Sequence, residues 1–333
     1  MQAPKNIIIS RTDSIGDVIL TLPVAKVLKD HFPEIKIAFL GRNYTKPVID
    51  CCEWVDDFIE LNDFLNKDAK VCGEKPDTII HVFPVKEIAR RAKALGIPSR
   101  IGTTNRFYHW TTCNKLLRLS RKNSELHEAQ LNLKLLQAFN IQTDYTKEEI
   151  SSFFGFTRYS SLQDEYKAFI HPTKYNLILH PKSQGSAREW GVNNFIALIR
   201  LLDKDKYNIL ISGTGKERML LDELFEACKD DVTDITGTMN LSQFISFINH
   251  CEGLVANSTG PLHIAAVLNK NALGFYPSQR PMHPGRWAPL GKKVQVFVAD
   301  DLCEACRKKS GKCSCMNTIR PPDVARAISL TNT

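Results

Sequence analysis

This 333-residue chain predicts an α/β protein of two doubly wound halves joined by a linker. Three observations carry that reading. Short apolar runs alternate with helical patterns from residue 6 to about 139, which implies parallel strands with helices on both faces. The rhythm is lost over residues 140–174 and restarts at 175. The length suits two domains of ordinary size, residues 1–160 and 161–333, and 43% hydrophobic with 24% charged residues is enough to build two cores.

In the first half Ile7-Ile8-Ile9 marks a strand at 6–10, and runs such as IKIAFL and DTIIHV place others at 35–40, 57–61, 77–82 and 98–102. Helical spacing places helices at about 17–31, 44–52, 62–71, 85–95 and 125–139. The segment 103–124 fits neither period and is expected to leave the sheet. In the second half strands at 175–180, 207–212, 232–236, 253–256 and 271–276 alternate with helices at 192–203, 216–228, 240–249 and 261–268. Ligands of such sheets lie beyond the carboxyl ends of the strands, so a cleft between two halves is the expected site.

No run approaches the ~20 apolar residues that span a bilayer. The apolar part of MQAPKNIIIS is too short for a secretory signal, and the ten cysteines are expected as reduced thiols in the cytoplasm. The whole net charge of +8 is found between Lys86 and Lys134, where eleven Lys/Arg face three acids. A solvated face is the bland account of a charge run. Here the cations are interleaved with Phe107, Tyr108, Trp110, Leu116 and Leu117, which points to an anionic partner: lipid headgroups, an anionic glycan or nucleic acid.

The first strand runs into RTDSIGDVILTLPV, residues 11–24. The turn lacks the G-x-G-x-x-G of a dinucleotide site and offers Asp13, Ser14 and Asp17 around one glycine, Gly16. Two carboxylates would repel a diphosphate, which disfavours a dinucleotide oxidoreductase, but they suit a substrate hydroxyl.

Phosphate candidates lie in the second half. GLVAN leads into STGPLHIAAVL, where Ser258 and Thr259 sit at a helix start, Gly260 allows close approach and Pro261 suits a first turn. Such a start favours a diphosphate, although a well-capped helix explains it equally. HPKSQGSAREW brings Lys182, Ser183, Ser186 and Arg188 to a second post-strand loop, and SGTGKE brings Gly213, Lys216 and Glu217 to a third. Glu217 could accept bonds from ribose hydroxyls. Together the three loops point to a nucleotide. His263, one helical step from Gly260, reads first as a packed core residue and second as a phosphate contact. The tail holds Cys303, Cys306, Cys313 and Cys315, a C-x2-C-x6-C-x-C pattern that could bind a structural zinc or remain four reduced thiols.

Taken together, these residues resemble the heptosyltransferases of lipopolysaccharide core assembly, glycosyltransferase family 9. The resemblance covers most of the chain and rests on RTDSIGDVILTLP, HPKSQGSAREW, and NSTGPLHIAA followed by FYPSQRPMHPGRWAPLG, with the cysteine-bearing tail before IRPPDV. It implies a GT-B architecture: two facing Rossmann-like domains, acceptor on the first and sugar nucleotide on the second. It implies an inverting transferase without a catalytic metal, peripheral on the inner face of the cytoplasmic membrane. The donor would be ADP-heptose-like and the acceptor an anionic, lipid-linked glycan. The resemblance places the general base on Asp17, a phosphate contact on Arg188, and the late T-G pair on Thr259 and Gly260. Ser258 stands where many members carry an acid, which leaves the donor sugar open. A non-catalytic sugar-nucleotide binder and a nucleic-acid module are the competing classes, the latter resting on the basic segment alone.

Overall fold

The computed structural model describes residues 3–121, 124–300 and 314–330. The chain divides into two units, Met1–Tyr159 and Ser160–Thr333. In the first, β1 (Asn6–Ser10), β2 (Lys36–Gly41), β3 (Asp57–Glu60), β4 (Thr78–His81), β5 (Ser99–Thr103) and β6 (Lys115–Leu117) form one sheet in the order β3-β2-β1-β4-β5-β6. Every ladder is parallel, and Ile8 of β1 lies between Ala38 and Ile79. Both faces of β1 are covered, so its side chains form an unbroken apolar run, as central strands of parallel sheets require.

The second unit repeats the plan. β7 (Tyr175–His180), β8 (Tyr207–Ile211), β9 (Thr233–Asp234), β10 (Gly253–Asn257), β11 (Asn271–Tyr276) and β12 (Val294–Val298) run parallel in the order β12-β11-β10-β7-β8-β9. Counted from each unit's own first strand, both sheets have the Rossmann order 3-2-1-4-5-6. The order reverses between β1 and β4 in one unit and between β7 and β10 in the other, so the loops after those strands bound each ligand position. An aromatic cluster of Trp190, Phe195 and Phe275, with centroids 4.2–5.9 Å apart, anchors the second core. Trp190 Nε1 donates to the Ile319 carbonyl at 2.8 Å, and the closing helix Pro321–Leu330 adds Val324 and Ile328 to that core.

Four elements depart from the sequence reading. The helix expected over 17–31 is two helices, Ile15–Ile19 and Pro23–His31. Pro23 has no N–H to give to Ile19 and its ring would meet that carbonyl, so it begins a new helix instead. The segment 103–124 does not leave the sheet: after the turn of helix His109–Thr112 it returns as β6, an edge strand of three residues, too short to show a period. β12 and the helix Pro321–Leu330 were not expected at all. β12 is a half-exposed edge, where the apolar alternation that marks a strand is weakest. Among the described residues no helix is long and apolar enough to cross a membrane.

Candidate active site

The turn after β1 is built on a guanidinium. Arg11, the first residue beyond the strand, is 2% exposed. Its Nε donates to Asp13 Oδ1 at 2.7 Å, its Nη2 to Asp17 Oδ1, and its Nη1 to Glu128 Oε1 at 3.0 Å. Three carboxylates on one cation hold Arg11 charged, its pKa raised above the ordinary value despite burial. Asp13 moves the other way. Burial first, and then the neighbouring Asp17, raise it from 3.8 to about 6, while Arg11 opposes the rise. Ser14 precedes the helix Ile15–Ile19, and its hydroxyl donates to Asp17 Oδ2. Asp17 thus sits in a first helical turn, where the helix dipole favours an anion. Gly16 lies inside that helix, not at a left-handed turn position. Tyr44 Oη donates to the Asp13 carbonyl, Arg42 Nε donates to Thr12 O at 2.9 Å, and the Phe83 ring lies 5.7 Å from the Arg11 guanidinium.

In the second unit the two candidate phosphate loops flank the switch point. The loop after β7 carries Lys182, Ser183 and Arg188; the loop after β10 carries Ser258, Thr259 and Gly260. Asn257, the last residue of β10, ties them together. Its Oδ1 accepts from Trp190 N and its Nδ2 donates to Pro181 O, both at 2.8 Å. Glu189 organises the first loop: Oε1 accepts from the N–H and the hydroxyl of Ser183, each at 3.0 Å, and Oε2 pairs with Lys182. Lys182 is therefore held by a carboxylate, whereas among the described residues nothing pairs with the Arg188 guanidinium. Thr259 Oγ1 donates to Asn257 O at 3.2 Å, and no side chain caps the helix Gly260–Val267. Pro261 has no N–H and Leu262 N donates to Thr259 O at 3.2 Å, so it is the Gly260 N–H at this helix start that is left to a ligand. Ser258 lies in hydrogen-bonding reach of the buried Tyr276 hydroxyl, and His263 is buried within the helix.

Glu217 is placed differently from the ribose contact first read into it. It is 4% exposed, and its Oε2 accepts from Thr214 N at 2.7 Å and Thr214 Oγ1 at 3.0 Å, closing a capping box on the helix Gly215–Arg218. T-x-x-E is the sequence signature of that box. Gly213 lies just before it, where a Cβ would be 3.4 Å from that of Glu217.

The basic segment is only partly an outer surface. Arg91, Lys93, Arg100 and Arg121 donate to backbone carbonyls, and Lys134 pairs with Asp144. Lys86, Arg90, Arg106 and Arg118 are exposed, beside Phe107 at 94% and Trp110 at 61% exposure. Lys122 lies outside the described residues, as do Cys303, Cys306 and Cys313. Cys315 is buried in the second core, and among the described residues no three His, Cys, Asp or Glu side chains gather as a metal site. Arg11, Glu128, Glu189 and Asn257 were missed from the sequence. Arg11 and Glu189 stood inside the quoted motifs, while Glu128 meets its partner 117 residues away.

A family model for glycosyltransferase family 9 (heptosyltransferase) matches residues 85–317. The chain is similar to the lipopolysaccharide core heptosyltransferase OpsX of Haemophilus influenzae, 20% identical over 93% of this chain and 88% of that protein. A family 9 glycosyl transferase of Veillonella parvula shares its fold with TM-score 0.80 and 18% identity, covering 99% of this chain and 98% of the other. E. coli heptosyltransferase WaaC, solved with ADP, gives TM-score 0.72 and 14% identity over 98% and 99% of the two chains. Two Rossmann-like units of the GT-B class, acids at one switch point and an unpaired cation at the other, are thus joined by a family match over most of the chain: it belongs to glycosyltransferase family 9, the heptosyltransferases.

Proposed function

We propose that the chain transfers a sugar, heptose first among the candidates, from a nucleoside-diphosphate donor of the ADP-heptose kind to a lipopolysaccharide core hydroxyl, with inversion. The observation that carries this reading is the division of charge. The loop after β1 presents Asp13 and Asp17, and the loops after β7 and β10 present Arg188 and an uncapped helix start. A hydroxyl belongs at the first and a diphosphate at the second.

Asp17 is the general base. Its carboxylate takes the acceptor proton as the hydroxyl attacks the anomeric carbon, from the face opposite the leaving diphosphate. Arg11 and the Ser14 hydroxyl set its direction. Arg188 and the N–H of Gly260 at the uncapped helix start then stabilise the diphosphate as its charge builds, while Ser183 is already held by Glu189. No catalytic metal is needed in this scheme, because the guanidinium and the helix start supply the positive charge. Lys182 contributes less, since Glu189 already neutralises it. The exposed cations Lys86, Arg90, Arg106 and Arg118, with Phe107 and Trp110, would seat the protein on the anionic inner face of the membrane that holds the acceptor.

Asp17→Asn tests the assignment. Transfer is expected to fall by roughly 10²–10⁴-fold, the range of a lost general base, while calorimetric donor affinity stays within twofold. A parallel loss of donor affinity, or transfer at the wild-type rate, sinks it. Donor hydrolysis measured with and without acceptor separates a transferase from a sugar-nucleotide binder.

A further inference from the structure

Behind the turn sits a buried carboxylate that the transfer scheme leaves unused. Glu128 begins the helix Glu128–Leu133 and is 1% exposed. Its Oε1 accepts from two guanidinium groups, Arg11 Nη1 at 3.0 Å and Arg121 Nη1. Arg121 also donates to Val82 O at 3.1 Å and to Asn132 Oδ1 at 3.0 Å. Asn132 Nδ2 in turn donates to Leu20 O at 2.9 Å and Thr21 Oγ1 at 3.2 Å, and Thr21 Oγ1 donates to the Asp17 carbonyl at 2.8 Å. A closed ring results. From Asp17 it passes through Arg11, Glu128, Arg121, Asn132 and Thr21, and returns to Asp17, once through the carboxylate and once through the backbone.

A ring closed on both side chain and backbone does more than fill space. Buried charges are tolerated only when paired, and a carboxylate with two cations is a costly arrangement to keep if packing were its only use. Arg121 closes the segment that carries Arg106, Phe107, Trp110 and Arg118, so the ring joins that segment to the turn. Among the described residues, the other charged or titratable groups facing the turn are Asp13, Arg42 and Tyr44, all held as described above.

We infer that Glu128 and Arg121 are positioning residues for transfer: the ring they complete fixes the direction of the Asp17 carboxylate and its share of the Arg11 charge. This rests on Asp17 as the base. Removing the Glu128 charge leaves Arg11 to two carboxylates instead of three and strengthens its hold on Asp17. Removing the Arg121 charge has the opposite effect, since Glu128 then loses one of the two guanidinium groups that share its Oε1 and draws more on Arg11.

The test is the pH dependence of kcat/KM in Glu128→Gln and Arg121→Gln, with carboxyl carbon NMR titration of Asp17 in the same proteins. Glu128→Gln is expected to move the acid limb down by about half a pH unit or more, and to lower kcat/KM roughly tenfold or more through misplacement of the base. Arg121→Gln is expected to move the limb up. Unmoved limbs and titrations in both variants, with only a lowered Tm, overturn the inference, because a structural role predicts that pattern. Should Glu128→Gln fail to fold, Glu128→Asp keeps the charge at shorter reach: reduced kcat with an unmoved limb supports the ring, wild-type kcat rejects it. The NMR titration needs no turnover. If Asp17→Asn retains transfer while the titrations still shift oppositely, the base assignment fails and the ring stands; if the titrations do not shift, the ring fails whatever Asp17→Asn shows.

Discussion

At the scale of single residues, Asp13 exposes the tension within the turn. Burial and the Asp17 charge lift it from 3.8 to about 6, and Arg11 offsets only part of that. Between those values the folded protein binds more protons than the unfolded chain, so the Asp13 contribution is fully present below about pH 4 and is lost as pH rises through about 6. Asp13→Asn removes the titration. Urea unfolding at pH 4, 5, 6 and 7 is therefore expected to show the variant gaining on the wild type as pH rises, with most of the gain complete by about pH 7. Parallel stability curves would show that Asp13 is not carrying the shift. Residues of this kind were legible where a polar side chain interrupts the end of an apolar run, as Asp13, Asp17, Lys182 and Thr259 do. Their partners were not. Glu128 and Asn257 act through contacts across 117 and 67–76 residues, which no local period encodes. Glu217 was the reverse case: its signature was local, but a capping box and a ribose contact use the same residue type.

Elements were legible in proportion to burial and length. The central strands β1, β4, β7 and β10 were expected to within about a residue or two, because strands covered on both faces read as nearly continuous apolar runs. The edge strands β6 and β12 were missed, since half-exposed residues carry no such constraint. The segment between β5 and β6 also divides the basic run by function. Arg100 and Lys93, through the carbonyls of Thr112 and Thr111, hold it against the unit, and Phe107 and Trp110 are left outside. Replacing both rings, Phe107→Ser with Trp110→Ser, is expected to weaken sedimentation with anionic phospholipid vesicles by roughly tenfold or more, since burying an aromatic ring is worth about 1.5–3 kcal/mol. Unfolding stability should move little, because exposed positions tolerate substitution within about 0.5 kcal/mol. Undiminished vesicle binding, in the presence of a charge-neutral vesicle control, would reduce the segment to a solvated face.

On the scale of the whole molecule, the same strand order appears twice without a repeat visible in the sequence, because topology needs only the alternation of buried strands and amphipathic helices. Two equal frameworks given different first turns divide the chemistry between them. One turn concentrates acids around Arg11, and the other leaves Arg188 without a carboxylate among the described residues while Lys182 is paired with Glu189. That asymmetry ranks the two cations. At a free nucleoside diphosphate concentration of about 100 times Kd the wild type should gain about 2.7 kcal/mol in apparent stability. A hydrogen bond to a charged group is worth about 1.5–3 kcal/mol, so Arg188→Ala should raise Kd by at least roughly tenfold and cut that gain to about 1.4 kcal/mol or less. Lys182→Ala should cost less, because binding must first compete with Glu189 for its ammonium. Thermal unfolding of both variants against a nucleoside diphosphate, with inorganic phosphate as control, reads the order directly. If Lys182→Ala loses as much as Arg188→Ala, the carboxylate does not restrain the lysine, and the loop after β7 binds through both cations.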